Sequence, residues 1–241
     1  MKTTITLTLD QAINSCPPIA CSMPSIDLSN RYKIISTKNV LEQAISDGWK
    51  ILETYKSGNK VTSQHFVLMA HDVILNNDIL SKHCVPFICL TNSHNGRNSF
   101  KYTLGYYSFT NNIKIFTEDA YMENCIVNHN KHNENDALLK LNQTKIYFRS
   151  FFDTLKTFEN KFLTEFETRI LESYSNKISK KNIKIEYNEE NSLWKISNIV
   201  HNQLGKSFKT NMKFSQEFWR AMCSCLIFTN ETLNQFLLKN E

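Results

Sequence analysis

The chain has 241 residues, of which 41% are hydrophobic and 21% charged, with a formal net charge of +5 and a sequence pI near 8.7. These values fit one large or two small globular domains and argue against a disordered tail-like protein. No apolar run approaches the ~18–20 residues of a membrane span, so no membrane partner is expected.

Residues 1–30 read as an irregular N-terminal arm. Ile5, Leu7 and Leu9 alternate with threonines and allow a short strand; prolines, serines and asparagines then favour loop. The lysine at position 2 is not followed by a long apolar core, so no signal peptide is expected. Seven cysteines without a CxxC pair suit reduced, mostly buried thiols in a cytoplasmic protein.

Tyr32–Ser36 is a short strand candidate. Asn39 followed by Glu42 has the spacing of a helix-start box, and Leu41, Ala44, Ile45, Gly48, Trp49, Leu52 and Tyr55 recur at helical spacing up to Ser57-Gly58-Asn59. Residues 60–117 read as β-rich. His65–Met69, Asp72–Leu75, Phe87–Thr91, Ser99–Leu104, Tyr106–Thr110 and Ile113–Thr117 are strand candidates. Their short links favour antiparallel pairing, and Asn111-Asn112 suits a two-residue hairpin turn. No glycine or proline occurs between Gly105 and Gly205, which favours long regular elements.

Residues 134–241 read as mainly helical. Phe148, Phe152, Leu155, Phe158, Phe162, Phe166, Ile170 and Tyr174 step by three or four, which with the lead-in predicts one amphipathic helix of about forty residues. That stripe is read as core, or as a seam for self-association. Ile183–Tyr187 alternates like a strand. Ser192 caps a helix that runs to Leu204 with Gly205 as its stop; Ser215–Phe228 and a short terminal segment are further helices. The expected fold is one α+β domain over residues 31–241, its central antiparallel sheet packed against the long helix and a helical C-terminal region.

The most informative stretch is Thr91-Asn92-Ser93-His94-Asn95-Gly96, a polar turn between an apolar run and an alternating one. Turns held on a sheet are frequent functional positions. An imidazole flanked by Asn92, Ser93 and Asn95 could act as a general base or recognition group. The same side chains could instead bond their own turn, with Gly96 at positive φ.

Leu90–Gly96 resembles the turn of a phage/plasmid-like family catalogued as domain of unknown function 932, with Asn95 in place of the family's usual aspartate. Gly105 fits the glycine that follows. Tyr32 and Gly48-Trp49 resemble the family's opening, and His65 its histidine-headed strand. His129 is similar to a histidine before the helical region, and Trp194 with Asn198 to a C-terminal helix. The arginine and the cysteine-x-asparagine-glycine turn frequent in that family are absent from Ser108–Ile113. The resemblance spans about residues 31–205 and implies a mobile-element protein, without supplying an activity.

Three functions fit these residues. The first is non-enzymatic nucleic-acid binding in replication, recombination or defence evasion. Lys177, Lys180, Lys181, Lys184, Lys195, Lys206, Lys209 and Lys213 outnumber Glu186, Glu189 and Glu190 by five, the whole net excess of the chain. Such a segment can attract a phosphate backbone, and Tyr102, Tyr106 and Tyr107 are candidate stacking residues. The second is a protein-binding inhibitor of a host defence system, docking through the turn or the long helix. The third is a metal-dependent hydrolase centred on His94, with His65, His71, His129, His132, Asp72, Asp119 or Glu123 as possible ligands. No zinc-binding or nuclease motif, P-loop, Rossmann fingerprint or nucleophile elbow is present, so neither a resident metal nor a cofactor is expected, and an enzyme is the less favoured class.

Overall fold

The computed structural model describes residues 6–75, 84–108, 113–117, 125–130, 133–204 and 208–227. It is an α+β fold. Strands β1 (Trp49–Lys56), β2 (His65–His71), β3 (Cys84–Asn92), β4 (Phe100–Ser108) and β5 (Ile113–Phe116) follow one another across a single antiparallel sheet, and the short β6 (Ile126–Val127) pairs with β4. The Asn111-Asn112 turn lies outside the described residues.

The chain divides into two compact units. One comprises residues 1–106 and 119–147; the other comprises 107–118 and 148–241. β4 passes from the first to the second.

In the first unit, α1 (Leu9–Ser15) occupies part of the stretch expected to be irregular. Thr8 starts it by accepting from the Gln11 amide, while the Gln11 side chain accepts from the Thr8 amide, a reciprocal cap that satisfies two otherwise orphaned donors. A 3₁₀ turn at Pro17–Ala20 follows. α2 (Thr37–Ser46) is capped by Ser36. The helix predicted to run to Tyr55 stops there, because Gly48 takes φ +91° and turns the chain into β1. Trp49 and Ile51 then pair with His71 and Met69, and a bulge between Ile51 and Glu53 shifts the register.

Both β2 and β3 are buried along their whole length, as expected for inner strands. They pair from His65–Asn92 to Met69–Ile88, so the polar turn at the end of β3 starts level with the first residue of β2. Asp72–Leu75, predicted as a strand, is the short helix α3. Tyr32–Ser36 has no strand assignment. The two predicted strands on either side of Gly105 are one strand, β4, with Gly105 buried in it.

The forty-residue helix is three helices. α4 (Glu134–Gln143) lies in the first unit, packs against α2, and ends in a 3₁₀ turn at Thr144–Ile146. α5 (Tyr147–Asn160) and α6 (Glu165–Ser179) are parted by residues 161–164. The break is built from polar groups that a count of phenylalanines does not register. Thr164 accepts from the Glu167 amide, the Glu167 carboxylate accepts from the Thr164 amide and hydroxyl, and Lys161 pairs with the same carboxylate at 2.7 Å. Burial pushes the Glu167 carboxyl up, but these bonds outweigh it and hold the carboxyl below its usual value.

In the second unit, α7 (Leu193–Asn202) and α8 (Phe208–Ile227) pack against β5, and α6 and α7 pack against α8. α8 begins seven residues before the predicted Ser215 start. Ile183–Tyr187 is not a strand; the Ile183 and Ile185 amides are bonded by the Asn176 and Glu172 side chains instead. Gly205 and the expected terminal helix lie outside the described residues. Phe151 stacks on Trp219 at 5.7 Å, and Phe158 meets the same indole edge-on at 5.0 Å; of the predicted stripe, Phe148 and Phe158 are buried, Phe152 is half-buried, and Phe162 and Phe166 are exposed, while the buried Phe151 lies off it.

All seven cysteines are free thiols; six are buried and Cys223 is half-buried. Among the described residues no helix is long and apolar enough to cross a membrane.

A polar turn closed over buried histidines

The turn after β3 is fixed from three directions. The Asn92 amide nitrogen donates to the Ile35 carbonyl at 3.0 Å and to the Thr37 hydroxyl at 2.9 Å, while its oxygen accepts from the Ser93 amide at 2.8 Å. The His94 amide donates to the Thr62 carbonyl at 3.1 Å, and the His94 carbonyl accepts from the Ser25 amide at 2.8 Å. The Asn95 side chain accepts from the Arg97 amide at 3.1 Å, an Asx turn. Gly96 follows at φ +73°, where a side chain would meet Leu28. The N-terminal segment therefore lies against the turn.

His94, expected on a solvent-open bend, is fully buried. Asn92 and Ser93 are sealed with it, whereas Gly96 and Arg97 are exposed and Asn95, Asn98 and Ser99 half-exposed. Burial runs unbroken through β3 as far as His94 and ends there, which leaves the second half of the loop to solvent.

His94 sits between two other buried imidazoles. Its ring centroid is 5.5 Å from that of His65 and 6.5 Å from that of His129. Thr37 uses its oxygen to accept from Asn92, so its hydrogen is available to His65 Nε2, 2.8 Å away. His65 Nδ1 then donates to the Ser63 carbonyl at 3.1 Å. Both nitrogens of His65 are thus engaged in a neutral tautomer, and burial holds its pKa down to about 4. Neither nitrogen of His94 completes a hydrogen bond. Burial, then the neighbouring His65 and His129, push its pKa down to about 3, with the Pro18 carbonyl opposing. A group held neutral in this way is a poor general acid near neutral pH.

His129 differs from the other two. Its Nδ1 lies 3.1 Å from the Lys33 carbonyl, and its own carbonyl accepts from the Lys33 amide at 3.0 Å. Tyr32 stacks on its ring at 4.6 Å and donates its hydroxyl to the Ser93 carbonyl at 2.9 Å. Burial lowers the His129 pKa. The residue is buried, and its Nε2 is sealed from solvent without a partner. His129 lines an open pocket of about 270 Å³ with Tyr32, Gly96, Arg97, Asn98, Ser99, Asn128 and Asn130.

The remaining predicted positions lie elsewhere. His71 is engaged by the Asp47 carbonyl and the Val73 amide. Gly105 is buried in β4. Trp194 and Asn198 are on α7 of the second unit, where the Asn198 amide donates to the Trp194 carbonyl at 2.9 Å. Among the described residues no group of three His, Cys, Asp or Glu side chains is arranged to hold a metal ion. Asp119, Glu123 and His132 lie outside those residues.

In the basic segment, Lys184 pairs with Glu172 at 3.7 Å, Lys213 pairs with Glu217 at 3.8 Å, and Lys181 donates to the Leu204 carbonyl. Lys177, Lys180 and Lys195 are exposed. Lys206 and the Lys209 side chain lie outside the described set. Tyr102 and Tyr106 are buried, and Tyr102 donates to the Ala137 carbonyl at 3.0 Å, so neither is available as a stacking platform.

Sequence reasoning singled out His94 and passed over Arg97, Asn98, Asn128 and Asn130. The available signal was an arginine directly after a positive-φ glycine, and two asparagines flanking His129.

No curated protein and no solved structure matches the chain. The family described as a domain of unknown function, DUF932, matches residues 27–216, a span that holds the turn, all three histidines and the whole pocket lining. The chain belongs to the DUF932 family.

Proposed function

We propose that this is a non-enzymatic nucleic-acid-binding protein of a mobile element, and that the pocket beside the polar turn holds part of its ligand. The observation that carries this reading is an exposed arginine beside an amide-rich pocket. Arg97, exposed and without an ion pair among the described residues, borders a pocket of about 270 Å³ that Asn98, Asn128 and Asn130 also line. A cation suits phosphate, and a polar pocket of this kind suits a base. The net charge of +5 and the exposed Lys177, Lys180 and Lys195 favour a polyanion in the same sense. Mobile-element origin rests on the resemblance of Leu90–Gly96 to phage and plasmid proteins.

The test is fluorescence anisotropy with labelled single-stranded DNA, single-stranded RNA and duplex at low salt. Binding to at least one is expected, weakening linearly on a logarithmic salt scale and weakening further in Arg97→Ala. Absence of binding to all three at low salt overturns the proposal.

A second reading, a protein-binding inhibitor of a host defence system, is favoured by two aromatic side chains left in solvent at the α5–α6 break. Phe162 is 55% exposed and Phe166 45%. A complex with a defence protein that survives high salt and is lost in Phe162→Ser with Phe166→Ser is the expected result for that reading.

A further inference from the structure

Two open pockets adjoin in the first unit. Tyr32 lines the one beside the turn. The next residue, Lys33, lines a second of about 350 Å³, together with Ile34, Asn133, Glu134 and Asn135. A pair of bonds ties the two together. The Lys33 amide donates to the His129 carbonyl at 3.0 Å, and His129 Nδ1 donates to the Lys33 carbonyl at 3.1 Å. His129 is buried and braces this junction, so contact with a ligand falls to the exposed side chains on either side of it.

Those side chains offer mainly hydrogen. Arg97 and Lys33 are exposed, neither has an ion pair among the described residues, and both are donors only. In each pocket an exposed asparagine has its oxygen already in use. The Asn128 oxygen accepts from the Ser99 hydroxyl at 3.2 Å. The Asn133 oxygen accepts from the Asn135 and Asp136 amides at 2.9 and 3.2 Å. What each keeps for a ligand is its NH₂ group. Glu134, the carboxylate of the second pocket, accepts from the Ser36 amide and the Asn39 side chain, so both of its oxygens are engaged within the protein. Each recess therefore pairs one cation with one amide donor, and calls for a ligand that repeats negatively charged acceptors.

Resting on the nucleic-acid reading above, we infer that the two pockets form one track for the backbone of a single strand, with one phosphate at Arg97 and another at Lys33. The NH₂ groups of Asn128 and Asn133 donate to phosphate or sugar oxygens along it. A supple strand can dip into adjoining recesses, whereas a duplex, stiff over about 50 nm, cannot follow them.

The experiment titrates the full chain into a short labelled oligo(dT) over a series of salt concentrations. Each phosphate contact on a single strand contributes about 0.7 to the slope of log affinity against log salt. Arg97→Gln and Lys33→Gln should each lower that slope by about 0.7, and the double variant by about 1.4. Lys50→Gln removes the same charge from β1, where Lys50 pairs with Ala70, toward the end of β2 away from the turn; its slope should match that of the unaltered protein. A second readout needs no variant. The same strand made with an uncharged methylphosphonate backbone should bind the unaltered protein about tenfold more weakly or worse, and a duplex of equal length should also bind more weakly than the single strand. A slope unmoved by either Arg97→Gln or Lys33→Gln, or lowered equally by Lys50→Gln, overturns the track. So does undiminished binding of the methylphosphonate strand, or a duplex bound as tightly as the single strand. Each of these leaves nucleic-acid binding in place. No binding of any strand or duplex by the unaltered protein at low salt overturns both.

Discussion

The Thr37 hydroxyl lies 2.8 Å from His65 Nε2, with both residues fully buried. Because that hydroxyl also accepts from Asn92, a single oxygen links the start of α2, the first residue of β2 and the last residue of β3.

Thr37→Val keeps the shape and removes this link. It leaves a buried imidazole nitrogen and one bond of the Asn92 amide unsatisfied, each worth about 1–3 kcal/mol. A loss of about 2–4 kcal/mol in urea unfolding is expected, with Thr37→Ser recovering most of it.

Gly96→Ala forces a side chain into the left-handed region, at φ +73°. The new methyl would also meet Leu28 Cδ2 at 2.5 Å, but that atom is the mobile end of a side chain. The backbone term should dominate, at about 1–2 kcal/mol. Leu28→Ala in the same chain should therefore relieve only a minor part of the loss in thermal midpoint.

Acid should destabilise the protein from the ordinary histidine range downward. His65 and His201 are held at about 4 and His94 at about 3, and His71 and His129 are also lowered, in each case mainly by burial. Below the ordinary histidine value of 6.5 the unfolded chain binds more protons than the folded one, so stability falls with falling pH. The contribution is intact above about pH 6.5 and drains away toward pH 3–4. For His65 alone the span amounts to about 3 kcal/mol. Urea midpoints measured between pH 7.5 and 4.5 should drop throughout, and His65→Gln should flatten the slope.

Thr164→Ala removes the acceptor for the Glu167 amide and half of the reciprocal cap that begins α6. A loss of about 1–2 kcal/mol is expected, checked by chemical unfolding. Circular dichroism should show no gain of helix across 161–164 if the loop is also held by the Lys161–Glu167 pair and the Phe162–Ser192 bridge.

The β-rich middle was readable because His65–Met69, Phe87–Thr91 and the run leading into Gly105 are strand-like in composition as well as pattern. Trp49–Tyr55 was not, since Trp49, Leu52 and Tyr55 suit a helix as well as they suit a bulged strand. Only the positive φ of Gly48 decides between them. On α5 the stripe found Phe148, Leu155 and Phe158 in the core but took the half-buried Phe152 in place of the buried Phe151, and the interruption was encoded in Lys161, Thr164 and Glu167. At the site, the hexapeptide located the turn but not its orientation. Whether His94 or Arg97 meets solvent depends on where residues 25–28 and 128–130 come to rest, and those lie far from the turn in sequence.

The sulfur chemistry of this protein offers a practical handle on its motions. Burial raises Cys16 to about 11, and Cys89 and Cys225 to about 12, so an alkylating reagent at neutral pH finds almost no thiolate while the fold is closed. Modification at these positions must then wait for local opening. Because Cys16 and Cys89 fall in one compact unit and Cys225 in the other, mass-resolved labelling over time would clock the breathing of each half separately, with no engineered reporter.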